Sequence, residues 1–174
     1  FPVLKQGKTS TLELFCAPDL VLFLSYYTNR MSKNIFIDIG ANIGLHTLVA
    51  RRCGLKAFSF EPDHDTYSVG KLFLEKNSCE MKFVDSNLIS KNHNFSIESS
   101  YIEAAVTEDF GEQTFVRLLD NPTGNHVKGC KKNIYGNVEE KIVKTIDINS
   151  FINEAFTAKI DAEGADAIIL NSLI

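Results

Sequence analysis

Two kinds of hydrophobic pattern divide this chain. Short apolar blocks of strand length alternate with longer stretches whose apolar residues recur at helical spacing. Ile35 to Ile39 is a β-branched and aromatic run and reads as a buried strand. Gly40 to Gly44 is a turn. From Ile43 to Arg52, apolar residues stand at 45, 48 and 49 and the pair Arg51–Arg52 closes the segment. That pattern predicts a helix whose cationic end complements its dipole. Gly54 stops it. Lys56 to Phe60 predicts a second strand, and Pro62 opens a second helix from about Asp63 to Lys76. The order β-turn-α-β-α opens a parallel, doubly wound sheet.

The pattern then loosens. Residues 82–100 are polar and rich in Asn and Ser, and read as loop with a short strand near Lys82 to Val84. Tyr101 to Val106 predicts the third sheet strand. Gln113 to Leu119 and Glu139 to Thr145 alternate in the β manner, with the turn cluster Asn121-Pro122-Thr123-Gly124-Asn125 between them. They predict an antiparallel hairpin inserted over one end of the sheet. Asp147 is placed to cap a short helix near Ile148 to Glu154. Thr157 to Ile160 predicts the fourth strand, and a further helix begins at Asp166. Residues 1–32 form a lead-in segment, with Asp19 capping a helix over Leu20 to Tyr27. The expected fold is one α/β domain over 1–174 with a Rossmann-like core from residue 33. A doubly wound domain ordinarily continues for another helix and several strands, so the sheet is expected to be truncated after strand four.

Composition narrows the class. The chain has 174 residues, 44% of them hydrophobic and 23% charged, which suits a soluble globular domain with a real core. A net charge of −4 leaves no electrostatic footprint for nucleic acid, so none is expected as a partner. Leu20 to Leu24 is the longest apolar run, too short for a membrane span, and the first residues given do not show the basic-then-apolar-then-small pattern of a targeting signal. Cys16, Cys53, Cys79 and Cys130 form no Cys-x-x-Cys pair. They suggest reduced thiols in a cytoplasmic protein rather than a zinc site. No grouping of His, Asp and Glu has metal-ligand spacing, so no metal is assigned. Oligomeric state leaves no mark in the pattern.

The chemistry concentrates at predicted strand ends. Asp38 precedes the turn Gly40-Ala41-Asn42-Ile43-Gly44, where glycines permit a tight turn and close ligand approach. Glu61 ends the second strand, 23 positions after Asp38, where a carboxylate reaches ribose hydroxyls in nucleotide-binding βαβ units. Asp161 ends the fourth strand, which lies beside the first in a doubly wound sheet, so Asp38 and Asp161 are expected to face one crevice. The plainer alternatives are a tight strand-to-helix turn for the loop and a turn former or cap for Asp161. A dinucleotide fingerprint, Gly-x-Gly-x-x-Gly counted from Gly40, fails at Asn42 and Leu45. A carboxylate just before the loop also repels a pyrophosphate. S-adenosyl-L-methionine, phosphate-free with an ammonium and a sulfonium, suits that acid better.

These residues resemble the FkbM family of methyltransferases. Phe36 to Gly44 is similar to its first motif and Phe60-Glu61-Pro62-Asp63 to its second. Ala104-Ala105-Val106 with Gly111 resembles its third-strand region. Lys159-Ile160-Asp161-Ala162-Glu163-Gly164-Ala165 resembles its closing motif, with Ala162 where Val is usual. The resemblance spans roughly 33–170. His46 replaces a small hydroxyl or aromatic residue, and the 82–100 loop is longer and more polar than usual. The resemblance implies a class I methyltransferase fold with Asp38 and Gly40 near the methionine portion of the cofactor. It implies Glu61 on the ribose hydroxyls and Glu103 and Ala104 beside the adenine. Ala41, Asn42, Gly44 and Pro62 complete the cofactor set. It further implies O-methylation of a hydroxyl on a glycan or natural-product small molecule.

Candidate bases for that hydroxyl are Asp161, Glu163 and His126. Each has a rival role. Asp161 can bind the ammonium or order the loop, Glu163 can cap the helix or pair with Lys159, and His126 can be a solvated loop residue. Lys159, inside a strand, reads as structural. The run Lys128-Gly129-Cys130-Lys131-Lys132 is either a basic patch for an anionic substrate or a solvated turn. Two other function classes stay open: a nicotinamide-dependent oxidoreductase, and a methyltransferase-like binding module without turnover.

Overall fold

The strand and helix predictions can be set against a computed structural model, which describes residues 34–91, 98–120, 124–131, 136–151 and 157–172. The lead-in helix expected at 20–27 lies outside them. Strand β1 (Ile35–Ile39) and strand β2 (Lys56–Phe60) fall where the apolar blocks predict, and pair in parallel from Ile35↔Lys56 to Ile39↔Phe60. Helix α1 (Leu45–Arg52) joins them, with Arg51 and Arg52 in its last turn. It starts two residues later than the sequence suggests, because Gly44 takes a left-handed φ of 82° at the N-cap. Helix α2 (His64–Lys76) follows β2. Its N-cap is Asp63, whose carboxylate accepts from Thr66 N at 3.3 Å and Thr66 Oγ1 at 2.8 Å. Pro62 precedes that cap and directs the chain into it.

Three further strands complete the first sheet: β3 (Lys82–Val84), β4 (Ser100–Ile102) and, numbered in chain order, β9 (Thr157–Ile160). The spatial order is β3-β4-β2-β1-β9, with every pairing parallel. The predicted strand Tyr101 to Val106 is two strands. Ala104 N turns back onto Ile102 O at 3.0 Å, and β5 (Ala105–Thr107) leaves for a second sheet.

That second sheet contains β6 (Gly111–Leu118), β7 (His126–Val127) and β8 (Val138–Asp147) in the order β5-β8-β6-β7. Its centre is the expected antiparallel pair, β6 against β8 from Gly111↔Thr145 to Leu118↔Val138. β5 adds a parallel edge and β7 an antiparallel one, so the insertion is a four-stranded mixed sheet rather than a bare hairpin. Asp147 does cap, accepting from Asn149 N at 2.8 Å, and the described part of the capped element is a 3₁₀ turn, Ile148–Ser150; the rest of the expected helix, 152–154, lies outside the described residues. Helix α3 (Asp166–Asn171) follows β9.

The pleat of β1 sorts its side chains between two cores. Ile37 and Ile39 join Phe60, Ile102, Val106, Ile146, Phe151 and Ile169, a cluster that ties the parallel sheet to the second sheet and α3. Phe36 faces the other way, onto Ala50, Leu55 and Ala57. The molecule is therefore α/β with a parallel sheet and a mixed one. No helix among the described residues is long and apolar enough to cross a membrane.

Candidate functional site

A cleft opens beyond the carboxyl ends of the parallel strands. The chain runs outward from β1 through β2 and β4, then returns to β9 on β1's other side. The cleft sits where that order reverses, the usual ligand position in an open parallel sheet. The loop after β1, Phe60 to Pro62 after β2, Ala104 after β4 and the segment after β9 line it. Phe115 and Val127 of the second sheet, with Asn125 just before β7, wall its far side.

The loop after β1 is internally complete. Gly40 N and Ala41 N donate to Phe60 O at 3.1 and 2.9 Å, and Gly44 N to Ala41 O at 2.9 Å. Asn42 N donates to Glu61 Oε2 at 3.0 Å and Ile43 N to Asn42 Oδ1 at 2.7 Å. Every amide from Gly40 to Gly44 thus has an acceptor within the protein. Gly40 (φ 72°) is required because its missing Cβ would collide with the Asp161 carbonyl. The close approach there is to the protein's own chain. Asn42 adopts φ 51°, so the second position that fails as glycine still takes a left-handed backbone, which Asn tolerates. Tyr101 Oη donates to Asn42 O, passing α2 at Gly70, where a Cβ would collide with the hydroxyl.

Glu61 lines the cleft yet is only 7% exposed. Its Oε1 accepts from Asp63 N at 2.9 Å and its Oε2 from Asn42 N. Burial pushes its pKa from 4.5 to about 7, against the opposing pull of those amides and of Lys159.

Asp38 corrects the sequence reading. It does not face the crevice with Asp161. It shares the Phe36 side of β1, is fully buried, and accepts from Thr47 Oγ1 of α1 at 2.8 Å. Thr47 Oγ1 lies 2.7 Å from Ser59 Oγ as well. Asp38 Oδ1 has no hydrogen bond, and the Lys159 ammonium stands 3.4 Å away as counter-charge. Its repulsion of a pyrophosphate is therefore largely neutralised.

Lys159 is the hub that sequence pattern does not reveal. From β9 its Nζ donates to Gly40 O at 2.8 Å and lies 3.5 Å from Asp161 Oδ2, while its side chain reaches the cleft. Burial works against its charge, but Asp38 and Asp161 outweigh that and raise its pKa.

The remaining predicted residues separate. Asp161 and Glu163 line the cleft, as do Gly40, Ala41, Asn42, Pro62 and Ala104. Glu163 pairs with Lys131 at 2.5 Å, not with Lys159, and the cap of that turn is Asp166, which accepts from Ala162 N and Gly164 N. Gly44 and Glu103 are not on the cleft wall. Gly44 packs on Leu74, and Glu103 holds His64 Nδ1 at 2.9 Å and Ser86 N at 3.1 Å beside a second, neighbouring cavity. His126 is not a solvated loop residue. It is 1% exposed in β7, with Nδ1 2.9 Å from Gly124 O, and the cleft is lined by its neighbours Asn125 and Val127 instead. Alternation along β7 turns it away from any acceptor there. The basic run is partly neutralised: Lys128 pairs with Glu140 at 2.8 Å and Lys131 with Glu163, while Lys132 lies outside the described residues.

Arg117 of β6 is a further residue without a sequence signal. It contacts Asp63 at 2.8 Å, Asp65 at 2.6 Å and Glu139 at 2.9 Å, fastening the second sheet to the start of α2. Among the described residues no cluster of His, Cys, Asp and Glu is placed to hold a metal ion. No family model, curated protein or solved structure matches this chain.

Proposed function

We propose that the cleft binds S-adenosylmethionine and that the protein methylates a hydroxyl on a glycan or natural-product small molecule. The fold on this reading is Rossmann-like, of the class I methyltransferase kind. The observation that carries it is the combination at the end of β1 and β2. A loop whose amides are all satisfied internally stands beside a buried carboxylate with unused acceptor capacity. A dinucleotide's pyrophosphate needs free backbone donors at this loop, and none from Gly40 to Gly44 is available. A phosphate-free nucleoside needs only acceptors for its ribose. Each Glu61 oxygen accepts one N–H and keeps a second lone pair for a hydroxyl. This favours S-adenosylmethionine over a nicotinamide cofactor more firmly than the neutralised Asp38 does.

When bound, S-adenosylmethionine supplies an electrophilic methyl group on sulfur. Glu61 holds the ribose, and Pro62 and Ala104 offer apolar surface for the base. Much of the acceleration comes from holding the acceptor close and aligned between the strand ends and the second sheet. Asp161, whose contact with Lys159 at 3.5 Å leaves its carboxylate open to the cleft, is assigned to the acceptor hydroxyl. Glu163 is tied to Lys131 and His126 faces elsewhere.

Calorimetric titration with S-adenosylhomocysteine and with NAD tests the reading. The first should bind and the second should not. Binding of NAD alone refutes the proposal. Methyl transfer to a panel of hydroxylated acceptors separates an enzyme from a binding module.

A further inference from the structure

We propose that Lys159 is a specificity-determining residue: its ammonium fixes the charge at the Gly40–Asp161 end of the cleft and thereby limits how strongly the site prefers a cationic sulfonium to a neutral thioether. The inference rests on the S-adenosylmethionine reading. It arises from a juxtaposition that a purely structural lysine does not need. Asp38 is fully buried below the loop, Asp161 has a 60% exposed side chain beside it, and Lys159 lies between them, reaching the cleft with its side chain 22% exposed. The same ammonium holds the Gly40 carbonyl at 2.8 Å, so its position is fixed rather than sampled.

Among the described residues the charges lining the cleft are Glu61, Lys159, Asp161 and Glu163, and Lys131 balances Glu163. Among the described residues Lys159 is thus the cation that offsets the two aspartates where β1 and β9 end. Methyl donor and demethylated product differ in this region by one unit of positive charge. A fixed ammonium nearby raises the free energy of the bound sulfonium and leaves the thioether unaffected, while the aspartates act in the opposite sense. Removing the ammonium leaves the aspartates unopposed, and the preference moves toward the sulfonium. A unit charge within several ångströms at an effective dielectric constant near 20 changes such a ratio by about tenfold or more.

The test is calorimetric titration of S-adenosylmethionine and S-adenosylhomocysteine into wild type, Lys159→Met and Lys159→Arg, with folding checked by circular dichroism. In Lys159→Met the ratio of the two dissociation constants should shift about tenfold in favour of the sulfonium. Lys159→Arg keeps the charge and should hold the ratio within about twofold. Lys159→Met strands the buried Asp38 carboxylate, so Asp38→Asn/Lys159→Met serves if the single variant does not fold. Its shift should have the same sign and be smaller, because Asp38 lies below the cleft surface. A folded Met variant with an unchanged ratio overturns the role of Lys159 alone. Failure of wild type to bind either compound overturns the underlying reading instead.

Discussion

Glu61→Gln isolates one buried proton equilibrium. In the folded protein this carboxyl titrates at about 7 rather than 4.5, because burial penalises its charge. Between those values the folded state keeps a proton that the unfolded chain releases. The wild-type contribution from Glu61 is therefore fully present below about pH 4.5 and is lost as pH rises through about 7. The displacement corresponds to roughly 3 kcal/mol. Gln carries no titration, but its amide nitrogen meets either Asn42 N or Asp63 N, donor against donor, a constant cost of about 1–3 kcal/mol. Urea unfolding of both proteins from pH 4 to 9 gives their stability difference. The variant should be the less stable at low pH. The difference should move by roughly 3 kcal/mol in the variant's favour, closing or reversing the gap, at about 1.4 kcal/mol per pH unit in the middle of the range, and level off above about pH 8. A difference that stays flat across the series refutes the buried-carboxyl reasoning, whatever its absolute size.

Gly70→Ala should destabilise the fold by about 1–3 kcal/mol despite the better helix propensity of Ala, and adding Tyr101→Phe should recover part of the loss in thermal melts. Arg117→Ala leaves the buried Asp63 carboxylate without its cation, and chemical denaturation should show a loss of about 3 kcal/mol, with Arg117→Lys restoring only part because Lys lacks the planar fork. If Glu61 must be ionised to hold the ribose, S-adenosylhomocysteine binding at pH 6 should release close to one proton, read from calorimetry in buffers of different ionisation enthalpy; no release separates Glu61 from the ribose. On the proposed methyltransferase reading, His126→Ala should leave methyl transfer within about threefold once folding is verified, since a base in the cleft would cost 10²–10⁴-fold.

What the sequence shows clearly is what neighbours in sequence decide. The apolar blocks at 35–39 and 56–60, the helix that follows Pro62 and the β6–β8 alternation all follow from residues within a few positions of one another. Tyr101 to Val106 misleads because the run is apolar throughout, and apolarity does not say which sheet a residue joins when both are buried. Asp38 was readable in principle: it shares parity with Phe36, and parity sends it to the α1 side. Partnerships across long separations leave no local trace. Glu163 with Lys131, Arg117 with Asp63 and Lys159 with Gly40 each depend on how whole elements meet. Asn42 shows the limit of counting glycines, since the backbone needs a left-handed residue there and Asn supplies one.

The bond from Tyr101 to the Asn42 carbonyl has a consequence for how a ligand arrives. Tyr101 is a core residue stacked on Tyr67 at 5.1 Å, so the loop is anchored to the interior and takes its shape when the core packs. The ordering entropy of that loop is settled during folding and is not charged against association. Encounter then resembles a key meeting a finished lock, with little backbone rearrangement to slow it. In hydrogen exchange the amides of residues 40–44 should already be protected in the free protein and gain little further protection from ligand.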